Sequence, residues 1–405
     1  MEIRLIRDDE VPAFRDAMLT TFGAQLDDDP TGDERMRALV EPTRRWAAFD
    51  GEQIVGTAAT FTQTLAIPGG TLPMAGLTMV TVRPTHRRRG VLRGFIDTHL
   101  ADARTRGEII SGLWASEASI YGRFGYGIAA HALELRVRAD AVQLVAPADP
   151  SVEIQLTTEA VARDLLPAVH ARAAATRPGL IGRTAAWWNY RVLLDRSVDR
   201  GSSSTRRFLV ARRAGIAVGY AVLRQQLTFT ADSLPGGKVV IQELLADDGA
   251  AEHALWACLL RFDLHPHVEW WNAPLDEALP WRLTDPRQVA RKQVDTLWLR
   301  IDDVAAALTA RSYAGTGTVQ LQVDDDTPLE LRVDDDGVAT VSAVPAGAGE
   351  SRLHLSRAAL ASCYLGGTAP STLARAGLVR GDVQAIATLD RMVATPRPPW
   401  CLEVF

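Results

Sequence analysis

The chain has 405 residues, 47% of them hydrophobic and 23% charged. That is long enough for two or three packed domains and too apolar for a disordered chain. Its net charge of −5 argues against general nucleic-acid binding and suits a cationic substrate. Cys258, Cys363 and Cys401 lie far apart without metal-ligand spacing, so reduced thiols in the cytoplasm are expected. No apolar run reaches the roughly 18 residues that a membrane span needs.

Residues 1–7 predict a short strand and lack the apolar core of a secretion signal. Residues 10–22 have the periodicity of an amphipathic helix. Residues 24–34 are polar and hold the run Asp27-Asp28-Asp29. Strands at 46–50 and 53–67 should meet in a hairpin at Asp50-Gly51. A strand at 77–82 follows, then a helix at 91–106 capped by Gly107, a strand at 109–115, a short helix at 118–124 and a final strand at 131–137. Alternating strands and helices imply a layered α/β domain, and the early hairpin makes its sheet mixed.

Pro147 and Pro150 mark a boundary within 138–155. Beyond it the order loosely repeats: helices at 158–175 and 187–194, a strand pair at 207–211 and 217–227 around Gly215, a strand at 239–245, a helix at 251–262 and a strand at 268–271. Residues 239–271 parallel 77–115, but their loop Ala246-Asp247-Asp248-Gly249-Ala250 is acidic where the first is basic. The second copy should keep the fold and lack a phosphate site. His265-Pro266-His267 with Glu269 is too irregular for a ligand set and reads as a turn, so no metal is expected. From about residue 297, alternating stretches at 318–323, 329–333 and 338–344 predict an antiparallel meander, followed by helical pattern at 356–364, 373–376 and 383–393. The prolines of 396–399 forbid a helix, and the last five residues should be extended. The expected division is 1–145, 146–295 and 296–405.

The strand at 77–82 runs into Arg83-Pro84-Thr85-His86-Arg87-Arg88-Arg89-Gly90 and then directly into a helix. A turn that opens a helix presents free N–H groups and the positive end of the dipole, an anion site. Gly90 admits a phosphate closely, and arginine forks fit its oxygens. Read alone, the run is either a diphosphate cradle or a surface basic patch; its place after a strand of an α/β sheet favours the cradle. Ser116-Glu117-Ala118-Ser119-Ile120-Tyr121-Gly122-Arg123-Phe124-Gly125-Tyr126-Gly127 follows the next strand. Tyr121 there either packs the core with Phe124 and Tyr126 or reaches a ligand as a proton donor.

Together these two motifs resemble the GNAT superfamily of N-acetyltransferases. Residues 80–93, with Ser116-Glu117 and Ile120-Tyr121-Gly122-Arg123-Phe124-Gly125-Tyr126-Gly127, are similar to the Eis (enhanced intracellular survival) family. The likeness extends over the chain and implies tandem GNAT-like α/β domains with mixed sheets, then a sterol-carrier-protein-like α+β domain. Leu92 stands where the superfamily's pyrophosphate signature has a small residue, a departure that Eis-like proteins share. The resemblance implies acetyl-CoA contacts from Val80, Thr81 and Val82, from Arg88, Arg89, Gly90, Val91, Leu92 and Arg93, and from Ser116 and Glu117. It implies Tyr121 as general acid and the α-carboxylate of Phe405 as general base. It further implies amine acceptors (aminoglycosides, polyamines or lysine side chains) and a homohexamer. In this superfamily the segment carrying Asp27, Asp28, Asp29, Asp33 and Glu34 covers the acceptor site, although a solvated loop fits those residues equally.

A terminal carboxylate has a reference pKa of about 3.5, too low for a good base unless burial raises it. Docking of the apolar tail would supply that burial, whereas a frayed end would not. Two other classes compete: a lipid carrier resting on the C-terminal domain, and a nucleic-acid-associated regulator resting on the basic loop.

Overall fold

The structure, a computed structural model, describes residues 1–24, 30–345 and 352–405, so Asp27-Asp28-Asp29 lies outside the described residues. The chain forms two compact units. One comprises Met1–Ala130, Arg177–Gly182 and Asp295–Phe405, the other His131–Thr176 and Arg183–Val294.

In the first unit, β1 (Glu2–Leu5), β2 (Arg45–Asp50), β3 (Gln53–Ile67), β4 (Gly70–Val82), β5 (Ile110–Trp114) and β6 (Gly127–Ile128) build a mixed sheet. The hairpin at Asp50-Gly51 forms as its residues demand. β4 is longer than expected: it starts at Gly70 and makes a second hairpin with β3. α1 (Val11–Phe22), α2 (Gly32–Leu39), α3 (Val91–Thr105) and α4 (Ala118–Tyr121) belong to the same unit. α3 packs Ile96 and Leu100 against Leu77 of β4 and Leu113 of β5, while its Val91 and Phe95 join a second core cluster with Trp46, Val55 and Ala58.

The strand expected to finish this domain does not. β7 (His131–Arg138) pairs with β12 (His267–Ala273) in the second unit, whose sheet also holds β8 (Val152–Thr157), β9 (Arg207–Arg213), β10 (Ile216–Gln226), β11 (Lys238–Ala246) and β13 (Val289–Asp295). Its place beside β5 is taken by β14 (Leu297–Ile301), antiparallel to β5 over Leu297–Trp114 to Ile301–Ile110. The strand orders β1-β2-β3-β4-β5-β14-β6 and β8-β9-β10-β11-β12-β7-β13 are the same topology with one strand traded. Period-2 patterning predicts a strand but not its partner, which is why this trade is silent in the sequence. The strand expected at 268–271 is β12, which begins one residue earlier, at His267, a residue read as part of a turn.

The third sheet, in the first unit, has the order β17 (Ala339–Ala343), β16 (Leu329–Val333), β15 (Gly317–Val323), β18 (Arg352–Leu355), β19 (Val379–Arg380). The expected meander is β15–β17; β18 and β19 are too short for a periodic signal. Helices Arg357–Tyr364, Pro370–Arg375 and Val383–Val393 accompany it.

A fully buried cation ties the first sheet to α3. Arg44 donates from Nε to Asp102 (2.7 Å) and from Nη1 to Thr62 Oγ1 (2.8 Å) and Glu108 Oε1 (2.9 Å), and its Nη2 is bonded to Glu108 Oε2. Removing one partner of a buried ion pair strands the other. Arg44→Met should therefore lower unfolding free energy by about 3–5 kcal/mol, read by urea denaturation.

Candidate active site

β4 and β5 run parallel for three pairs only, Met74–Ile110, Ala75–Ser111 and Gly76–Gly112. After Gly76, β4 stays with β3 to Val82, while Leu113 and Trp114 of β5 pair with β14. The two strands thus part at their C-terminal ends, where α/β sheets bind ligands. On the β4 side, Met79 has φ +55° and the β3–β4 register shifts between Thr57 and Ala59, so Met79 and Val80 together oppose Ala58. This is a bulge held from β3: Thr57 Oγ1 donates to Met79 O at 2.7 Å. A non-glycine residue in that region is strained, and such strain clusters at functional sites.

Val80 and Val82 are half-buried beside the split and Thr81 is buried. The chain then turns through Pro84–His86 and enters α3. Arg88 (φ +62°) and the cap residue Gly90 (φ +83°) are both left-handed, and among the described residues no side-chain cap is made at this helix start. The first bond at this end runs from Gly94 N–H to Gly90 O (2.9 Å), so the N–H groups of Val91, Leu92 and Arg93 have no intrahelical acceptor. Arg87, Arg88 and Arg89 are exposed and no side-chain partner holds them among the described residues. An uncapped 15-residue helix with free cations at its start fits a diphosphate.

The equivalent turn in the second unit is filled by the protein itself. Asp248 caps helix Gly249–Leu259 by accepting from Ala250 N–H (3.0 Å) and Ala251 N–H (2.9 Å), and Arg213 Nη1 lies 2.6 Å from its other oxygen. Arg213 first, then those amides, hold the Asp248 carboxyl down at about 2. A fixed carboxylate occupies the anion position there.

The second motif meets the first. Tyr121 is buried in one cluster with Leu77, Leu113, Tyr126 and Trp298, against which Val80, Leu92 and Phe124 also pack. Arg93 lies over the Phe124 ring at 5.8 Å. Burial, then the nearby Glu117 charge, pushes the Tyr121 phenol up to about 12. Ser116 and Glu117 are exposed just before α4. A chain of buried bonds that no sequence pattern announces leads to Tyr126, beside Tyr121: Thr60 Oγ1 to His99 Nδ1 (2.7 Å), His99 Nε2 to Ser111 Oγ (2.6 Å) and Ser111 Oγ to the Tyr126 hydroxyl (2.6 Å). Burial, then Arg44, drives His99 down to about 3, so its ring is neutral, with one nitrogen donating and the other accepting. Tyr126 in turn sets its ring at 74° to that of Tyr121, centroids 6.0 Å apart.

The tail is docked, not frayed. Trp400, Cys401, Leu402, Glu403 and Phe405 are buried and Val404 is exposed. Trp400 N–H donates to Pro178 O (2.9 Å), and Arg177 lies over the Trp400 ring at 5.1 Å. The segment Arg177–Gly182 is itself bonded to β3, with Gly179 N–H to Ala66 O and Gly182 N–H to Thr64 O, both 2.8 Å. This carries the Phe405 ring to Phe61 of β3, edge-on at 6.4 Å, and to within 3.3 Å of where a Cβ on Gly76 would lie. Phe405 therefore abuts the last residue of β4 before the strands part. Of the acidic residues expected near the acceptor, Asp33 is bonded to Arg15 and is not a free anion. Among the described residues no group of three His, Cys, Asp or Glu side chains is arranged as a metal site, and no helix is long and apolar enough to cross a membrane.

Residues 2–129 match an acetyltransferase (GNAT) domain, residues 179–301 a second acetyltransferase (GNAT) domain, and residues 304–402 a sterol carrier protein domain. The fold and these matches define an N-acetyltransferase with tandem GNAT domains and a C-terminal sterol-carrier-like domain, a class that uses acetyl-CoA as co-substrate. An N-acetyltransferase of Streptomyces avermitilis is 36% identical over 389 residues, 94% of this chain and 93% of its own length. The N-acetyltransferase Eis of Mycobacterium bovis is 34% identical over 370 residues, 87% of this chain and 86% of its own. The crystal structure of Eis1 from Mycobacterium abscessus covers 100% of both chains with a TM-score of 0.85 at 30% identity. The chain belongs to the Eis family of N-acetyltransferases.

Proposed function

We propose that the chain transfers the acetyl group of acetyl-CoA directly to amines of small cationic molecules, such as aminoglycosides and polyamines, or of lysine side chains. The observation that carries this reading is the parting of β4 from β5, with an uncapped arginine-rich helix start after one strand and the buried Tyr121 after the other. In this reading Val80, Thr81 and Val82 line the thioester arm. Arg88, Arg89, Gly90, Val91, Leu92 and Arg93 hold the diphosphate, and Ser116 and Glu117 contact the co-substrate from the facing side.

Acetyl-CoA supplies the acetyl group and leaves as the thiol. A backbone N–H of the Met79–Val80 bulge polarises the carbonyl. The Phe405 carboxylate takes the proton that the amine sheds as it attacks, and Tyr121 protonates the departing sulfur. Cys258, Cys363 and Cys401 play no covalent part. Only the first acetyltransferase unit binds the co-substrate, because Asp248 fills the anion position of the second. The family likeness also leads us to propose a homohexamer in the cytoplasm; a monomeric mass by light scattering would overturn the assembly.

Acetyl-CoA with spermidine or an aminoglycoside, followed by free-thiol release, tests the reading. No turnover with any amine, together with no acetyl-CoA binding, would remove it. Hydrogen bonds to charged groups contribute about 1.5–3 kcal/mol each. Arg88→Ala with Arg89→Ala should raise the Kd for acetyl-CoA by at least about tenfold after allowance for solvent screening, more at low salt, as measured by calorimetry.

A further inference from the structure

Gln63 lies on β3 directly opposite Met74 of β4, and Phe61 and Leu65 share its face of the sheet. The face is an apolar stripe that Gln63 interrupts. Its side chain is 6% exposed, and both carboxamide atoms, Oε1 and Nε2, are buried without a hydrogen-bond partner among the described residues. Native cores avoid that arrangement, because such an amide has surrendered water for nothing. The carboxamide is held where the chemistry belongs. A Cβ added to Gly76 would strike Gln63 Oε1 and come within 3.3 Å of the Phe405 ring. Gly76 is the last residue of β4 paired to β5. Gln63 thus lies over the root of the split, beside Phe405.

We infer that Gln63 binds the acceptor: its Oε1 takes an N–H of the incoming primary amine and turns the nitrogen lone pair toward the split. This rests on the acetyltransfer reading above. The neutrality of the side chain matters. An amine attacks only after losing its proton, and a second carboxylate at this position, added to that of Phe405, would hold it more firmly as the charged ammonium. A carboxamide accepts the N–H without that penalty. The required ligand is therefore a primary amine delivered in its neutral form, with the rest of the molecule free to be cationic.

The test uses the full chain with Gln63→Met, which keeps the volume and deletes the amide, and Gln63→Glu, which keeps the shape and adds charge. Thiol release is measured with spermidine and with an aminoglycoside, acetyl-CoA affinity by calorimetry and stability by melting. Both variants should bind acetyl-CoA as the wild type does. Gln63→Met should melt at or above the wild-type temperature, since it removes a buried unsatisfied amide, yet lose at least about tenfold in kcat/KM for the amine. Gln63→Glu should lower kcat without raising KM for the amine. Unchanged kcat/KM in Gln63→Met, or a loss that tracks a lower melting temperature and weaker acetyl-CoA binding, overturns the inference and leaves the acetyltransfer reading standing. A wild-type protein that neither binds acetyl-CoA nor releases thiol ends both.

Discussion

Replacing Tyr121 by Phe should lower kcat by about 10²-fold or more, the scale of general acid catalysis, with acetyl-CoA affinity unchanged. The substitution deletes one hydroxyl and keeps the ring that packs edge-on against Tyr126 and among Leu77 and Leu113, so loss of fold would not explain the result. The pH profile carries more information. With its phenol raised to about 12, chiefly by burial, Tyr121 is protonated through neutral and mildly alkaline pH. The rate should therefore show no alkaline loss from this group near its ordinary value of about 10. A phenol at about 12 is a weak acid toward a free thiolate. Inside the split, however, the same desolvation acts on the leaving sulfur and raises its own affinity for the proton. The proton should move late, as the C–S bond breaks. Steady-state thiol release at saturating acetyl-CoA across pH checks both points, and near-wild-type turnover in Tyr121→Phe would take the role away from this residue.

Deleting Phe405 should have an effect of the same order. The deletion draws the chain's end back by about 3.3–3.6 Å of reach. It also removes a ring whose burial contributes about 1.5–3 kcal/mol and whose edge contact with Phe61 adds about 0.5–1.5 kcal/mol. Two companion variants separate ring from carboxylate. Phe405→Leu keeps the carboxylate's position and should retain most turnover, with a lower melting temperature. One glycine added after Phe405 keeps the ring and displaces the carboxylate, and should lose turnover as the deletion does. Full activity in the extended chain would show that the tail anchors the fold and does not act as base.

The hairpin at Asp50-Gly51, the strand–turn–helix around Arg88 to Gly90 and the acidic counterpart at Asp248 were all legible, because each is local and written in turn residues and charge. Asp248 was richer than its charge implied: it is also the helix's N-cap, accepting from Ala250 N–H and Ala251 N–H. What stayed hidden is non-local. No propensity marks Met79 as a bulge, since its strain is imposed by the pairing of Thr57 with Thr81 and Ala59 with Thr78 on either side. Thr60, His99 and Ser111 are ordinary residues of a strand, a helix and another strand until packing aligns them with Tyr126. Gln63 did leave a trace, as the polar member of the alternating series Phe61, Gln63, Leu65, Ile67. The trade of β7 for β14 left none.

That trade has a consequence during synthesis. As the chain emerges from the ribosome, β5 waits with an open edge, because its neighbour β14 ends only at Ile301. Residues 1–130 therefore emerge as an unfinished sheet, with unpaired backbone groups and the apolar face of Leu113 exposed to other nascent chains. The sheet of the first acetyltransferase unit closes only after the whole of the second unit has been made. A gene cut at residue 130 should yield an aggregating product, and one that supplies residues 295–301 in trans or by a short linker after Ala130 should recover it.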